Sequence, residues 1–407
     1  MFTMFARSMP EAAHPGQAVG AAKLSMEAAQ QDTAEARAAR ELQANLNGNI
    51  GPQAGHADGV NQPASVRANA GVSFSRLLYD GGRSDRQVDW RAQLAESARQ
   101  GHLNLQEQIA LSAVSLALER SRYRMQAQVY GQHVRKMGCL VDALEQIVNA
   151  DKGRLSELVQ ARKSLQQAEL SQTQAVSGAR QVEVRLRRLV GDGLPGTPGL
   201  ASVFLRLPDV AELQLEAAQS AEIAQYDAQA EAMAKLARSI EAGTKPQLSW
   251  IGSAQASGGS GNPSTTAGSR SVNVSTGVSI SIPLLNPGIE PAIQAARKRA
   301  MAASLQREDA LEARRFRIAE VYEQASSAFD RLRRVADVLR DSDRVRNFTL
   351  QQWQQLGRRS LFDVMGAESD HYALRVAYVN ALHDGQQMNA QLISLGRGLT
   401  LWLRNVP

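Results

Sequence analysis

Side chains that could act as nucleophiles, general bases or metal ligands are spread thinly along this sequence. The single cysteine is Cys139, and the six histidines are His14, His56, His102, His133, His371 and His383. One cysteine cannot form an intramolecular disulfide, and no CxxC or Cys/His spacing predicts a zinc site. No triad-like cluster of catalytic residue types occurs either. We therefore predict that the protein is not an enzyme, and we expect each histidine to be a surface or packing residue.

A glycine- and serine-rich stretch, ASGGSGNPSTTAGSR at 256–270, invites comparison with a phosphate-binding loop. It lacks the Lys-Ser/Thr pair that completes a P-loop, and no helix follows it directly. We interpret this stretch as an exposed loop. No cofactor is expected.

The composition favours long helices over a thick globular core, because 43% of the 407 residues are hydrophobic but only 5% are aromatic. The net charge is +6, but the arginines are scattered among acidic residues along helical segments. Such scatter is typical of solvated helix faces, so we expect no nucleic-acid partner. No run approaches the ~18 apolar residues of a membrane-spanning helix, although membrane β-strands would escape this test.

Four segments alternate apolar and polar residues with the period of two that is typical of strands. The predicted strands are 41–51, 65–79, 246–255 and 271–283. They form two pairs, joined by polar loops at 52–64 and 256–270. Four strands are too few to close a membrane barrel, which needs about eight. Either they form a small soluble sheet or several chains contribute to one barrel.

Long helices follow both strand pairs. The predicted helices are 11–40, 81–148 and 155–189 in the first half of the chain, and 209–242, 289–354 and 361–395 in the second. The first long helix, at ~1.5 Å per residue, would span roughly 100 Å, which is taller than an ordinary globular core.

The two halves of the chain repeat each other. The phrase GVSFSRLLYDGG from Gly71 returns as GVSISIPLLNPG from Gly277, 206 residues later. The same offset aligns Glu157 with Asp363 near the far end of each half. We interpret this as an internal duplication, with repeats at 1–206 and 207–407.

The order and spacing of these features resemble those of the TolC-like outer-membrane export channels of Gram-negative bacteria, over nearly the whole chain. SFSRLLYDGG and SISIPLLNPG are similar to the family's strand-to-helix joint, whose proline is kept at Pro283 and replaced by Leu77. His14-Pro15 and the alanine-rich stretch after it are similar to the first helix. GRRSLFDVMGAESDHYALRVAYVNAL resembles the returning helix of the second repeat, and SLGRGLTLW resembles its end.

The resemblance implies an α+β membrane protein. Four strands from each chain of a homotrimer would close a twelve-stranded β-barrel in outer-membrane lipid, and the helices would form an α-helical barrel across the periplasm. Such a protein is a passive duct that works with a periplasmic adaptor protein and an inner-membrane ABC or proton-driven transporter. Type I protein secretion and small-molecule efflux both stay open, with overall similarity slightly favouring secretion. The alternative is a structural trimeric coiled-coil stalk, although these helices do not keep the strict heptads of a fibre.

The resemblance also implies a gate at the periplasmic tip. Asp363 matches an acidic position that rings the family's constriction, whereas a second such position is Gly366 here. Arg359, Ser156 and Glu157 match positions that latch the closed state. Three carboxylates on a narrow axis would favour cations. The alternative is that these four residues are solvated charges and polar groups at helix ends.

The tips around Gly153-Arg154 and Gly357-Arg358 correspond to the places where the family meets its adaptor. The amino-terminal stretch MFTMFARSMPEAAHPG lacks the continuous apolar region of a signal peptide. Because an outer-membrane protein must be exported, we expect a trimmed form, a misassigned start or a chain that is not functional as written.

Overall fold

The structure, a computed structural model, describes residues 16–57, 60–191, 204–260, 270–356 and 359–405. It divides into two compact units. The helical unit comprises Met1–Lys23, Gly101–Ala224 and Asp309–Pro407, and the strand-bearing unit comprises Leu24–Gln100 and Gln225–Glu308. Each unit therefore takes segments from both halves of the chain, and each is described by itself below.

Both halves contain, in the same order, a helix, two strands, a long helix and a shorter helix, and the second half adds a short helix before and after this series. In chain order they are α1 (Gly16–Ala38), β1 (Gln43–Ala57), β2 (Val60–Tyr79), α2 (Arg83–Ala150), α3 (Leu155–Val190), α4 (Val210–Glu216), α5 (Ala221–Ala242), β3 (Gln247–Ser260), β4 (Arg270–Ser281), α6 (Ile289–Leu356), α7 (Leu361–Leu395) and α8 (Leu399–Asn405). Short 3₁₀ turns occupy Lys152–Arg154 and Ala217–Gln219.

The two longest helices, α2 and α6, have 68 residues each. No proline interrupts α2, and Pro291 of α6 lies in the first turn, where a missing backbone N–H has no helical partner to lose. Alanine, glutamine, arginine and leucine are the commonest residues of both sequences, and these residues lose little side-chain freedom in a helix.

The predicted helix 209–242 is broken in the structure. Its residues form α4, a 3₁₀ turn and α5, because the backbone at Ser220 is extended, with ψ of 149°. The hydroxyl of Ser220 accepts a hydrogen bond from the backbone N–H of Ile223 at 3.5 Å. A serine hydroxyl that accepts from a backbone N–H favours the start of a new helix over the continuation of the previous one. The prediction of one helix was therefore wrong.

The core of the helical unit runs along α7, which packs against α2 and α3. One cluster surrounds Phe204, and its members are Ala113, Val114, Ala117, Leu118, Leu186, Val190, Ala390, Ile393, Leu399 and Leu403. Asn389 of α7 is fully buried and donates hydrogen bonds of 2.9 Å to the carbonyls of Phe204 and Arg206. These bonds fix the chain entering α4 against the core, since buried carbonyls need a donor.

Side chains of α6 and α2 form hydrogen bonds with the backbone groups at the end of α7 and at the start of α8. Arg314 of α6 donates to the carbonyls of Leu395 at 2.9 Å and Ser394 at 3.1 Å, which lie at the end of α7. Glu107 of α2 accepts from the backbone N–H groups of Leu399 and Thr400 at the start of α8. Helix ends have unpaired backbone groups, and these contacts supply their partners.

The strand-bearing unit contains an antiparallel sheet with the order β1-β2-β3-β4. Three strands, β1, β2 and β3, are longer than predicted, whereas β4 is close to its predicted bounds. Pairing of β1 with β2 continues to Ala57 and Val60, through most of the expected loop at 52–64, and β3 extends to Ser260. Hydrogen bonds between strands join backbone groups and do not depend on an apolar side-chain pattern, so the pairing of β1 with β2 continues through this polar stretch. Residues 261–269 of the second expected loop lie outside the described residues.

Candidate functional site

One face of the sheet is apolar across all four strands. The register places Leu46, Val72, Ala254 and Val274 in one row across the sheet. The other apolar or small members of this face are Ala44, Gly48, Ile50, Val66, Ala68, Ala70, Phe74, Leu248, Trp250, Gly252, Ala256, Val272, Thr276, Val278 and Ile280. Toward the two ends of the strands the register also places Arg76, Pro52, Gly258, Ser260 and Arg270 on this face. Leu46 is 80% exposed and Val274 is 77% exposed. An apolar face of this extent needs an apolar environment.

The opposite face of the sheet is polar. Asn47, Gly71, Gln255 and Asn273 form one of its rows. Its other members include Gln43, Asn45, Asn49, Asn69, Ser73, Ser75, Ser249, Ser253, Ser257, Ser271, Ser275, Ser279 and Ser281, with Ile251 as an apolar exception. Serine hydroxyls pair across β3 and β4, such as Ser253 with Ser275 at 3.0 Å. This face is suited to water.

Aromatic side chains gather where the apolar face approaches the helices. The rings of Phe74 and Trp250 lie 5.0 Å apart, and the ring of Phe74 covers Gly252, where a Cβ atom would come within 2.1 Å of it. The indole N–H of Trp250 donates to the hydroxyl of Thr276 at 3.0 Å. Aromatic residues at the rim of an apolar band are typical of a membrane interface.

Both strand-to-helix joints begin with the same kind of side-chain-to-backbone hydrogen bond. The Oδ1 atom of Asp80 accepts the backbone N–H of Gly82 at 3.0 Å, and Oδ1 of Asn286 accepts that of Gly288 at 3.2 Å. Asp80 also accepts the N–H of Ser84 at 2.7 Å and thereby caps α2. Burial alone would raise the pKa of Asp80, but the hydrogen bonds from Ser84 and Gly82 outweigh it and hold this pKa below its ordinary value.

Asp363, the predicted constriction residue, takes part in the N-terminal cap of α7. Its backbone N–H donates to the hydroxyl of Ser360 at 3.2 Å, and its Oδ2 accepts from the N–H and hydroxyl of Ser360 at 3.0 Å each. This is a reciprocal capping box. These hydrogen bonds, helped by the charge of Arg359, lower the pKa of the exposed Asp363 carboxyl. The carboxylate therefore stays ionised at neutral pH.

The other predicted latch residues lie at the starts of α3 and α7, which pack together. Leu158 and Ala161 of α3 share an apolar cluster with Leu361, Val364 and Met365 of α7. This packing brings Ser156 and Glu157 to the same end of the helical unit as Arg359 and Asp363.

Within one chain, the described residues show no hydrogen bond or ion pair between the two sets. Arg359 instead donates to Gln352 at 3.2 Å, and Oε2 of Glu157 is buried without a hydrogen bond. The gating role of these four residues stays a prediction.

The first predicted adaptor-contacting tip is a tight turn between α2 and α3. Asp151 caps it by accepting the N–H of Gly153 at 3.0 Å, and Gly153 and Arg154 are both exposed. The second predicted tip, Gly357 and Arg358, lies outside the described residues.

Three solved structures show what the whole chain is similar to. CusC, described in terms of transmembrane channel formation, matches with a TM-score of 0.83 at 17% identity, over 98% of this chain and 92% of that one. The outer membrane protein VceC from Vibrio cholerae matches with a TM-score of 0.79 at 17% identity, over 98% and 96%. The open-state MtrE outer membrane channel of Neisseria gonorrhoeae matches with a TM-score of 0.78 at 17% identity, over 98% and 89%. The chain has the fold of the TolC-like outer-membrane channels.

The likeness to TolC-like channels is one of fold, because the sequence matches no protein-family model and no curated protein. It confirms the predicted fold class, in which four strands per chain are combined with long helices. The neighbours that share the TolC-like fold are described as channels and membrane proteins.

Sequence reasoning missed a buried ionic cluster within the helical unit of this TolC-like fold. Glu368 of α7 is only 1% exposed, and neither of its carboxylate oxygens makes a hydrogen bond. Lys136 of α2 and Arg346 of α6 approach it at 3.6 Å and 3.8 Å. A signal was present, since Glu368 interrupts an apolar stripe at helical spacing between Val364 and Tyr372.

Among the described residues of this TolC-like chain, no group of three or more His, Cys, Asp or Glu side chains is arranged to hold a metal ion. No helix in the described ranges combines the length and the apolar character needed to cross a membrane. The imidazole of His133 stacks on the ring of Tyr372, with ring centroids 4.6 Å apart.

Proposed function

We propose that the protein is the outer-membrane channel of a tripartite export system, a passive duct assembled from three copies of the chain. The observation that carries this proposal is the two-faced sheet. Its apolar face is exposed and its opposite face is polar, so no single solvent suits both faces. Lipid on one side and a water-filled lumen on the other satisfy both faces.

The sheet edges support assembly from several copies. In the part of the chain that the structure describes, β1 pairs with β2 alone and β4 pairs with β3 alone. Unpaired strand edges carry a high free energy in lipid, because no water is present to bind the backbone groups. Three copies would pair each β1 with a neighbouring β4 and close twelve strands.

The height of the apolar face fits an outer membrane. It runs from the row of Leu248 to the row of Ala256, eight residues along β3. Eight residues cover about 27 Å along a strand, or ~20 Å across a membrane at a tilt of 35–45°. This is close to the ~25 Å apolar band of outer-membrane barrels. A coiled-coil stalk would have no use for such a band.

The same proposal includes the cargo, the partner proteins, the adaptor-contacting tips and the two repeats. The duct would export proteins by type I secretion or small molecules by efflux, driven by an inner-membrane transporter through a periplasmic adaptor. Its adaptor-contacting tips would be Gly153-Arg154 and Gly357-Arg358, and its duplicated halves would be 1–206 and 207–407. The recurring Asp80 and Asn286 turns support the duplication.

Two adjacent residues of β4 offer a matched test. Val274 lies in the middle of the apolar face and Ser275 lies on the polar face. The chain, expressed behind a signal peptide, is recovered from outer membranes in detergent, its mass is measured, and its conductance is recorded in planar bilayers. We expect trimeric channels from the parent and from Ser275→Arg. Val274→Arg should assemble poorly, because a lipid-facing arginine near the midplane costs about 2–4 kcal/mol. A soluble, non-conducting parent, or equal tolerance of both variants, would contradict the proposal.

A further inference from the structure

Two polar side chains lie on the apolar face of the sheet at the end that leads into the helices. Arg76 of β2 pairs with Trp250 of β3. Tyr79, the last residue of β2, pairs with Leu248, two residues nearer the start of β3. The register shifts between Leu77 and Tyr79, and this shift places Tyr79 on the same face as Arg76. In a strand without the shift, residues three apart would point to opposite faces.

Neither side chain is paired within the part of the chain that the structure describes. The guanidinium of Arg76 and the hydroxyl of Tyr79 make no hydrogen bond or ion pair there, and Tyr79 is 55% exposed. The segments that surround this rim of the sheet are 40–51, 66–84, 243–256 and 271–289, and all of them belong to the described ranges. Both side chains are therefore available as hydrogen-bond donors to a group outside the chain.

No acidic side chain in the described ranges neutralises Arg76. The four strands contain no aspartate or glutamate over their described lengths. Asp80 follows β2 directly, but its carboxylate accepts hydrogen bonds from the backbone N–H groups of Gly82 and Ser84 and is mostly buried. Glu41, which precedes β1, forms no ion pair with Arg76. A positive charge on an apolar surface is stabilised by an anion, and here that anion has to come from outside the chain.

The position of Arg76 fits the level of lipid head groups. The apolar face extends one row past Arg76, to Leu248, and two residues cover about 7 Å along a strand. At a tilt of about 35–45° this corresponds to ~5 Å across the membrane, which the long side chain of arginine can cover by extending toward the interface. Arginine on a lipid-facing surface is tolerated near the interfaces but not at the midplane. Tyr79 and Trp250 flank Arg76, and such aromatic residues are typical of the interface.

We propose that Arg76 and Tyr79 bind the phosphate group of a phospholipid in the membrane leaflet that faces the periplasm. This inference rests on the proposed channel function, which orients the helices toward the periplasm and the apolar face toward lipid. The guanidinium can donate two parallel hydrogen bonds to phosphate oxygens, and the phenolic hydroxyl can donate a third. Because β2 is an inner strand of the sheet, pairing of the sheet edges between copies leaves this site on the outer surface.

Lipid binding to the detergent-extracted channel tests the proposal. Phosphatidylglycerol and a diacylglycerol with the same acyl chains are titrated separately, and the lipids retained by the trimer are counted by native mass spectrometry. Diacylglycerol lacks the phosphate, so the ratio of the two apparent affinities reports the contribution of the phosphate-bearing head group. The variants are Arg76→Gln and Tyr79→Phe, which keep much of the side-chain volume. The control is Arg299→Gln, because Arg299 is exposed on α6 and makes no hydrogen bond or ion pair with the described residues.

We expect the parent to bind phosphatidylglycerol more tightly than diacylglycerol. Arg76→Gln should reduce this preference by about five-fold, which is the contribution of one arginine near an anionic lipid surface. Tyr79→Phe should reduce it by about two-fold, since it removes one hydrogen bond. Arg299→Gln should match the parent. Trimer mass and planar-bilayer conductance are measured for every variant.

An unchanged lipid preference in both Arg76→Gln and Tyr79→Phe, or an equal loss in Arg299→Gln, would overturn the inference but leave the channel function intact. Release of phosphatidylglycerol by equimolar inorganic phosphate would show a general anion site and would also overturn it. If Arg76→Gln fails to form trimers, Tyr79→Phe decides alone, because it removes a single hydroxyl. A soluble parent without conductance would overturn the channel function, and the inference with it.

Discussion

The Nζ atom of Lys136 lies 3.6 Å from Oε1 of Glu368, a carboxylate that is 1% exposed inside the helical unit. Arg346 approaches the other oxygen at 3.8 Å, so one acidic side chain of α7 is held between basic side chains of α2 and α6. The side chains of Lys136 and Arg346 are partly exposed, and their positive charges compensate the buried negative charge of Glu368. Glu368 thus ties three helices together near the proposed gate.

Removing Lys136 should destabilise the helical unit. Loss of a partner leaves a buried charge uncompensated, a change that costs up to 3–5 kcal/mol when both partners are buried. Because Lys136 is 34% exposed and Arg346 remains, we expect a smaller loss, about 1–2 kcal/mol, for Lys136→Ala. Thermal unfolding of the detergent-extracted protein measures the loss. The control is Arg340→Ala, since the ion pair of Arg340 with Asp337 is well exposed and should contribute under about 0.5 kcal/mol. Equal effects would show that burial of Glu368 does not matter.

Opening of the proposed gate can be followed by conductance. Arg359→Ala and Asp363→Ala, alone and together, should raise single-channel conductance if these residues hold the closed state. Ser360→Ala distinguishes gating from helix capping, because it removes the hydroxyl that exchanges hydrogen bonds with Asp363 in the cap but keeps the carboxylate and the backbone N–H of residue 360. Arg344→Ala, at an exposed position on α6, is the neutral control. Unchanged conductance in the double variant would remove the gate assignment without affecting the fold.

Stability of the helical unit should fall in mild acid because of His383. Its burial, with the charge of Arg122, lowers its pKa from 6.5 to about 4, against weaker opposing effects of Asp384 and the backbone of Leu118. The unfolded chain therefore binds a proton at pH values where the folded chain does not, and the free energy of unfolding drops as the pH falls from about 6.5 to about 4. The drop attributable to His383 is at most on the order of 3 kcal/mol.

The check on His383 is a series of thermal melts across this pH range. His383→Gln should flatten the dependence on pH. Some slope should remain, because burial also lowers the pKa values of His133 and His371. A slope identical to that of the parent would contradict the assignment.

The two strand-to-helix joints should respond differently to the same substitution. Gly81 has φ of +67°, and a Cβ atom there would lie 2.4 Å from Cβ of Lys245. Gly288 near the second joint has no positive φ, and its Cβ would meet only Oδ1 of Asn286 at 3.5 Å. We expect Gly81→Ala to cost about 1–3 kcal/mol and Gly288→Ala to be nearly neutral. Channel yield and melting temperature are the measurements, and an equal loss at both joints would refute the explanation.

The local spacing of apolar and polar residues determined which segments are helices or strands and which side of each strand is apolar. Alternation along β4 of valine and isoleucine with serine and asparagine was sufficient to predict a strand with one apolar and one polar face, because successive side chains in a strand point to opposite sides. The recurrence of apolar residues at three- and four-residue steps, with no proline inside α2, was sufficient to predict a long helix. These properties depend on neighbours in sequence.

Only the tertiary structure decided which residues face one another across elements. Register brings Arg76 and Tyr79 to the same face of the sheet, and it extends the β1–β2 pairing past the predicted loop, because backbone hydrogen bonds form regardless of side-chain polarity. Helix packing turns Glu368 from an interruption in an apolar stripe into a charge held by Lys136 and Arg346. Such contacts join residues far apart in the chain, and their energies depend on burial, which local sequence does not specify.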